Sequence, residues 1–294
     1  MRKIKRRKRI VAPKINKIYN CNCLDLMLKM PDGFVDLVVT SPPYDNLRTY
    51  KGYSFNFKSI AKELFRVTKQ GGVVVWIVAD ATIKGSETGT SFRQALYFKK
   101  IGFNLHDTMI WTKDGGGGFG SSKCYAQNFE YMFIFSKGKI KTTNLIRDKL
   151  NLSFGTGERW VTNRRLVTGE TKRKKIKPPA KFRKRNNYWY IPRYIPIQSG
   201  NGHPAVFPEK LAKDHIISWS NIGDLVYDPL MGSGTTAKMA LHTKRNYIGS
   251  EISEEYCIEA KKRINEGLIS ILSFVKTNYN GIYKYIKENK NEKR

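Results

Sequence analysis

Acidic side chains are scarce in this chain: 24 Asp and Glu stand against 54 Lys and Arg, a formal charge of +30 over 294 residues. A field of that size favours a polyanionic partner, nucleic acid before a membrane surface. The excess is also clustered, whereas lysine enrichment for solubility alone would scatter it. Nine Lys and Arg and no acid fall in residues 1–17, and thirteen with only Glu170 fall in residues 159–193. Cysteine is equally sparse. Cys21 and Cys23 stand too close together for a Cys-x-x-Cys metal pair, and Cys124 and Cys257 are isolated, which argues for reduced thiols and against a disulfide scaffold. The four His lack metal-ligand spacing, so no metal site is expected. No run approaches the ~18 apolar residues of a membrane span, and no apolar segment of signal-peptide length follows the basic Met1–Arg9. These absences predict a soluble, cytoplasmic protein with no membrane partner.

Apolar residues make up 40% of the chain and aromatics 12%, enough for a substantial core. The length suits one large domain, or one domain carrying an insertion. Short apolar runs alternate with helical patterns. Lys17–Cys21, Val35–Val39, Val73–Val78, Leu105–Thr112 and Tyr131–Phe135 read as strands, with helices near Leu24–Met30, Lys58–Thr68 and 91–100. Gly71-Gly72 is expected to end the second helix, and the glycine-rich run 114–120 reads as a flexible loop. The alternation predicts an α/β fold with a mostly parallel sheet. Periodicity is lost from about Lys139 to Pro196, where Trp160, Phe182, Tyr188, Trp189 and Tyr190 are interleaved with Lys and Arg. Cations for phosphates and rings for bases make this a candidate nucleic-acid recognition insert. Order returns with a helix over Glu209–Ser220, a strand ending at Asp228, a helix over Ala237–Leu241, a strand ending at Glu251 and a helix over Ser253–Asn265.

Two stretches carry chemistry. The first is Thr40-Ser41-Pro42-Pro43-Tyr44, directly after the 35–39 strand. Two prolines stop the strand and stiffen a turn that presents a hydroxyl, carbonyls and one ring at the carboxyl edge, where open α/β sheets bind ligands. The second is Asp228-Pro229-Leu230-Met231-Gly232-Ser233-Gly234-Thr235-Thr236, with Glu251 about twenty residues beyond the glycines. Strand, Gly-x-Gly, helix, strand and acid together suit a nucleoside: glycines admit close backbone approach, and the acid can accept ribose hydroxyls. The third glycine of the dinucleotide fingerprint is missing, which disfavours a nicotinamide oxidoreductase.

With these residues the chain resembles the amino-group DNA methyltransferases, whose motifs are a (Ser/Asp/Asn)-Pro-Pro-Tyr turn and Asp-Pro-Phe-x-Gly-Ser-Gly-Thr-Thr. His203-Pro204-Ala205-Val206-Phe207-Pro208 and Tyr247-Ile248-Gly249-Ser250-Glu251 match as well. The catalytic motif precedes the cofactor motif, as in the permuted beta class. The resemblance implies a Rossmann-like S-adenosylmethionine-dependent fold in circularly permuted order. Its parts would be a basic arm (1–16), a catalytic half (17–138), a target-recognition insert (139–197), a cofactor-binding half (198–267) and a Lys-rich tail (268–294).

The same resemblance implies roles. Asp228, Pro229, Gly232, Ser233, Gly234, Thr235 and Thr236 would surround the methionine end of S-adenosyl-L-methionine, Glu251 its ribose and Asn22 its adenine. Ser41, Pro42, Pro43 and Tyr44 would be catalytic. Arg164, Arg165, Lys172, Arg173, Lys174, Lys175, Lys181, Arg183, Lys184 and Arg185 would meet double-stranded DNA. The target base must leave the duplex at a cost of a few kcal/mol. Among relatives a Ser at the first position of the turn goes mostly with N4 of cytosine and an Asp with N6 of adenine, so cytosine is expected and adenine is the alternative. A non-catalytic nucleic-acid-binding protein and an RNA methyltransferase are weaker readings. The resemblance implies the modification enzyme of a restriction-modification system, with room for a cognate restriction endonuclease acting on the same site and for a homodimer.

Overall fold

The computed structural model describes residues 12–43, 55–113, 125, 127–155, 157–165, 169, 171–192 and 208–266, with backbone alone for 159–165, 171–174 and 176. Tyr44, the glycine run, the His203–Phe207 stretch, the basic arm up to residue 11 and the tail from 267 lie outside them.

The core is an eight-stranded sheet between two helical layers. Five of its strands form one parallel run: β1 (Lys17–Asn20), β2 (Val35–Thr40), β3 (Thr68–Val78), β13 (Leu225–Asp228) and β14 (Asn246–Glu251). β6 (Asn104–Thr112), β7 (Phe129–Ser136) and β12 (Tyr188–Tyr190) complete the order β1-β14-β13-β2-β3-β7-β6-β12, and a short hairpin of β4 (Thr82–Ile83) and β5 (Ser86–Glu87) lies outside it. Only β7 runs against its neighbours; every other adjacent pair is parallel.

Strand alternation sorts the side chains into two cores. Val38, Val74, Trp76 and Val78 face α1 (Cys23–Met27), α2 (Phe57–Val67) and α3 (Thr90–Lys100). Leu37, Val39, Val73, Val75 and Ile77 face α4 (Glu209–Trp219), α5 (Thr235–His242) and α6, a helix over 254–266. A sheet covered on both faces has no polar face to show, which is why its central strands read as unbroken apolar runs. Among the described residues no helix is long and apolar enough to cross a membrane.

Two details depart from the sequence reading. Gly71 and Gly72 do not end α2; they lie inside β3. The helix stops at Val67, where Thr68 turns extended and its hydroxyl back-bonds to the Leu64 carbonyl at 2.6 Å. The glycines instead let β3 shift register as it passes β2. A Cβ on Gly72 would meet the Asp36 carbonyl at 2.8 Å, and Gly71, at φ +80°, lies equally close to the Lys141 side chain.

The second departure is in the basic insert. Its start forms the antiparallel pairs β8 (Arg147–Leu150) with β11 (Phe182–Lys184) and β9 (Arg159–Arg165) with β10 (Thr171–Ile176), outside the main sheet. Its end, Tyr188-Trp189-Tyr190, is the edge strand of the main sheet beside β6. Trp189 is buried with its ring 4.7 Å from that of His215, while Tyr188 and Tyr190 point out, the period of two expected of a half-buried strand.

Candidate active site

Going up in sequence, β13 leads through α5 to β14 on one side, and β2 leads through α2 to β3 on the other. The direction of winding therefore reverses between β13 and β2. In open sheets of this kind the crevice at the carboxyl ends of the two diverging strands is where ligands bind. Both sequence motifs begin at that crevice: Ser41-Pro42-Pro43 follows β2 and Pro229–Gly234 follows β13.

Side-chain bonds lock the motifs together. Thr40 Oγ1 donates to Asp228 Oδ1 at 2.7 Å, and Thr236 Oγ1, in the first turn of α5, donates to the Val39 carbonyl at 3.2 Å. Asp228 also accepts the Leu230 N–H at 3.0 Å and is buried. Burial pushes its carboxyl up to about 6; bonds from Thr40, the Leu230 N–H and Thr236 pull it back, and nearby Glu251 raises it. Asp228 thus holds the turn from within, and its carboxylate is turned toward β2.

The glycine loop is anchored equally well to β14. The Met231 N–H bonds to the Ser250 carbonyl at 2.9 Å, and Ser250 Oγ donates to the Pro229 carbonyl at 2.8 Å. Glu251 accepts the Gly232 N–H on Oε2 at 2.8 Å and the Ser253 N–H on Oε1 at 2.9 Å. Two backbone donors fix this half-exposed carboxylate and leave each oxygen a further lone pair. Gly234 has φ +84°, and a Cβ there would come within 2.8 Å of Ala260 Cβ, so glycine is required for α6 to close on the loop. At the end of β1, Asn22 caps α1 by accepting the Leu24 N–H at 2.9 Å, while Asn20 and the Cys21 N–H bond to the Glu251 carbonyl.

Three adjacent strands, spaced by about 4.8 Å, therefore end in a glycine loop, a carboxylate and an amide, in that order. Such a row suits an extended nucleoside with a polar arm. Gly232–Thr235 would hold the methionine end, Glu251 the ribose hydroxyls and Asn22 the adenine edge. Among the described residues no group of His, Cys, Asp and Glu is placed to hold a metal ion.

The predicted DNA contacts divide. Lys181, Arg183 and Lys184 are exposed on or beside β11, and Lys175 is exposed on β10, paired with Glu158. Arg164 and Arg165 on β9, and Lys172, Arg173 and Lys174 on β10, are placed by their backbone only. Arg185 is employed differently. It pairs with Asp148 on β8 and, at 2.6 Å, with Asp214 on α4, and lies over the Trp189 ring at 5.5 Å. Held on two sides, it joins the insert to the core. A groove of about 430 Å³ beside it is lined by Lys149, Arg183, Tyr188, Tyr190 and Lys210 among others.

Sequence reasoning did not single out Arg263. From α6 its guanidinium donates to the Ser233 carbonyl and hydroxyl at 2.7 and 2.6 Å, with Glu209 of α4 at 3.1 Å behind it. Nothing local marks that arginine among its lysine-rich neighbours.

A doubly wound sheet with a glycine loop and placed carboxylate at one side of the switch point, and a Ser-Pro-Pro turn at the other, defines a methyltransferase architecture. The chain belongs to the N6/N4 family of DNA methylases, whose family model matches residues 35–262. It is 56% identical over 247 residues to the orphan methyltransferase M.BamHII of Bacillus amyloliquefaciens, covering 81% of this chain and 91% of that one. It is 28% identical over 260 residues to the DNA adenine methyltransferase YhdJ of Escherichia coli (strain K12), covering 84% and 82%. In fold it is similar to the cytosine-N4-specific PvuII DNA methyltransferase, with TM-score 0.61 at 21% identity over 87% of this chain and 92% of that one. It is similar also to M1.HpyAVI solved with S-adenosylmethionine, with TM-score 0.54 at 22% identity over 84% and 98%. S-adenosylmethionine is the cofactor this family uses.

Proposed function

We propose that this DNA methyltransferase acts on the exocyclic N4 of a cytosine extruded from duplex DNA. The observation that carries the reading is the Ser41-Pro42-Pro43 turn at the carboxyl end of β2, bonded through Thr40 to the strand that opens the glycine loop. When bound, S-adenosylmethionine supplies a methyl group on a positively charged sulfur, already a strong electrophile. The difficulty lies with the nucleophile, because an exocyclic amine delocalises its lone pair into the base ring. Ser41 Oγ and the Pro42 carbonyl accept hydrogen bonds from the two amino N–H groups, which draws the nitrogen toward sp³ and localises that pair; one of those protons leaves after the methyl is transferred. Tyr44 stacks on the extruded base, contributing roughly 1–3 kcal/mol toward the cost of extrusion. Proximity and fixed orientation supply most of the rate.

Ser at position 41 and the fold shared with a cytosine-N4-specific enzyme support cytosine. The identity with an adenine methyltransferase keeps N6 of adenine as the second reading. Phosphates are met by the exposed cations of β11, by the β9–β10 pair and by the groove at Lys149 and Lys210. The enzyme works in the cytoplasm and modifies DNA at a specific site. The 56% identity with an orphan methyltransferase supports activity that needs no cognate endonuclease. Label from methyl-labelled S-adenosylmethionine should pass to duplex DNA in an assay run beside RNA. Label confined to RNA, or to neither, would contradict the proposal.

A further inference from the structure

We propose that Arg263 is a positioning residue that holds the glycine loop in its cofactor-binding shape from behind. Glu251 and Arg263 grip successive residues of that loop. Glu251 takes the Gly232 N–H, and Arg263 supplies donors to the Ser233 carbonyl and hydroxyl. A third, longer contact of 3.4 Å reaches Thr235 Oγ1 in the first turn of α5. Arg263 is itself oriented: Glu209 Oε1 lies 3.1 Å from its second nitrogen and 2.6 Å from Lys238 Nζ of α5. Burial raises the Glu209 carboxyl, but its bonds to Lys238 and Arg263 outweigh that and leave it below the usual range, so it stays charged.

The placement adds to this. Ala260, one turn before Arg263, is the residue that closes on Gly234. One face of α6 thus makes an apolar contact at Gly234 and a charged one at Ser233. Ser233 is almost wholly buried, and a buried carbonyl needs a partner. Arg263 meets it through Nη1 while Nη2 takes Glu209, a division between two fixed nitrogens that the single ammonium of lysine cannot copy. Without it the loop would be free to rotate the Ser233 peptide and lose the arrangement of N–H groups that Glu251 fixes on the other side.

The inference rests on assigning the cofactor to this loop, and calorimetric titration of the wild-type protein with S-adenosylmethionine and with S-adenosylhomocysteine tests that assignment first. Absence of wild-type binding would sink the assignment and the inference together. Given wild-type binding, Arg263→Ala should weaken both ligands by roughly tenfold or more, as expected for losing charge-assisted bonds. Titration is done well below the unfolding midpoint, which is recorded for each variant. A merely structural residue would lower that midpoint and leave the dissociation constant unchanged, and this outcome would overturn the proposal. Should Arg263→Ala not fold, Arg263→Lys decides. It retains the charge but not the two fixed nitrogens, so an affinity between wild type and a several-fold loss is expected, and an affinity equal to wild type refutes the role.

Discussion

The hydroxyl of Thr40 donates to Asp228 Oδ1 at 2.7 Å, so the last residues of β2 and β13 are joined side chain to side chain in a buried position. Residues 188 apart in sequence thereby set the spacing between the Ser41-Pro42-Pro43 turn and the glycine loop. Thr40→Val keeps the shape and removes the donor. It should cost about 1–3 kcal/mol and depress methyl transfer, whereas Thr40→Ser should preserve both. Denaturant unfolding alongside turnover checks this; a valine variant as stable and active as wild type would show that the bond positions nothing.

Asp228 also makes stability depend on pH in an unusual sense. Burial raises its carboxyl to about 6, above the ordinary aspartate value near 4. Between those values the folded protein keeps a proton that the unfolded chain releases. Its contribution to stability is therefore complete below about pH 4 and is lost as pH rises through about 6. The size is on the order of 2–3 kcal/mol. Asp228→Asn should remove this component, so its stability relative to wild type should rise across that interval in the cofactor-free protein. A difference that stays flat from pH 4 to 7 would be inconsistent with a proton held at Asp228.

Gly234 and Gly223 make a controlled pair. Both have positive φ, +84° and +86°, but a Cβ at Gly234 meets Ala260 at 2.8 Å while one at Gly223 meets nothing within 4 Å. Alanine at either should cost roughly 1–3 kcal/mol of backbone strain. Only Gly234→Ala should also loosen α6 and weaken cofactor binding. Equal affinity losses in the two variants would count against the packing account.

The cations of the insert should separate into two kinds. Neutralising Lys181, Arg183 or Lys184 should leave stability alone and reduce the salt dependence of DNA binding by about one unit of slope each. Arg185→Ala instead leaves Asp214, a nearly buried carboxylate, with Lys210 at 2.8 Å as its ion-pair partner and removes the link to Asp148, and should cost about 1–3 kcal/mol of stability. If Arg185→Ala behaves like the other three, the clamp between insert and core is not real.

Much of this was legible in the sequence because buried parallel strands announce themselves as apolar runs and the two motifs punctuate their ends. Val73–Val78 and the Asp228 strand appear where periodicity put them. The misread places are those where tertiary contacts decide. Gly71 and Gly72 look like a helix stop, and only the neighbouring β2 backbone explains them as a passage inside β3. Arg185 looks like one more cation in a basic run until Asp148 and Asp214 converge on it. Tyr188-Trp189-Tyr190 did carry a signal, a period of two ending in Ile191-Pro192, masked by the basic composition around it. The Thr40–Asp228 and Arg263–Ser233 bonds leave no trace in composition at all.

On the role proposed for its ring, stacking on the extruded base, Tyr44→Ala should abolish most methyl transfer while cofactor affinity survives. Calorimetric titration distinguishes this from a residue that lines the cofactor site, which would lose affinity as well.

The most direct measurement is nucleoside mass spectrometry of plasmid DNA methylated in vitro by the purified protein. The expected product is N4-methyl-2′-deoxycytidine, dependent on added S-adenosylmethionine and largely lost with the Tyr44→Ala variant. N6-methyl-2′-deoxyadenosine in its place would contradict the assignment of Ser41 to a cytosine amine.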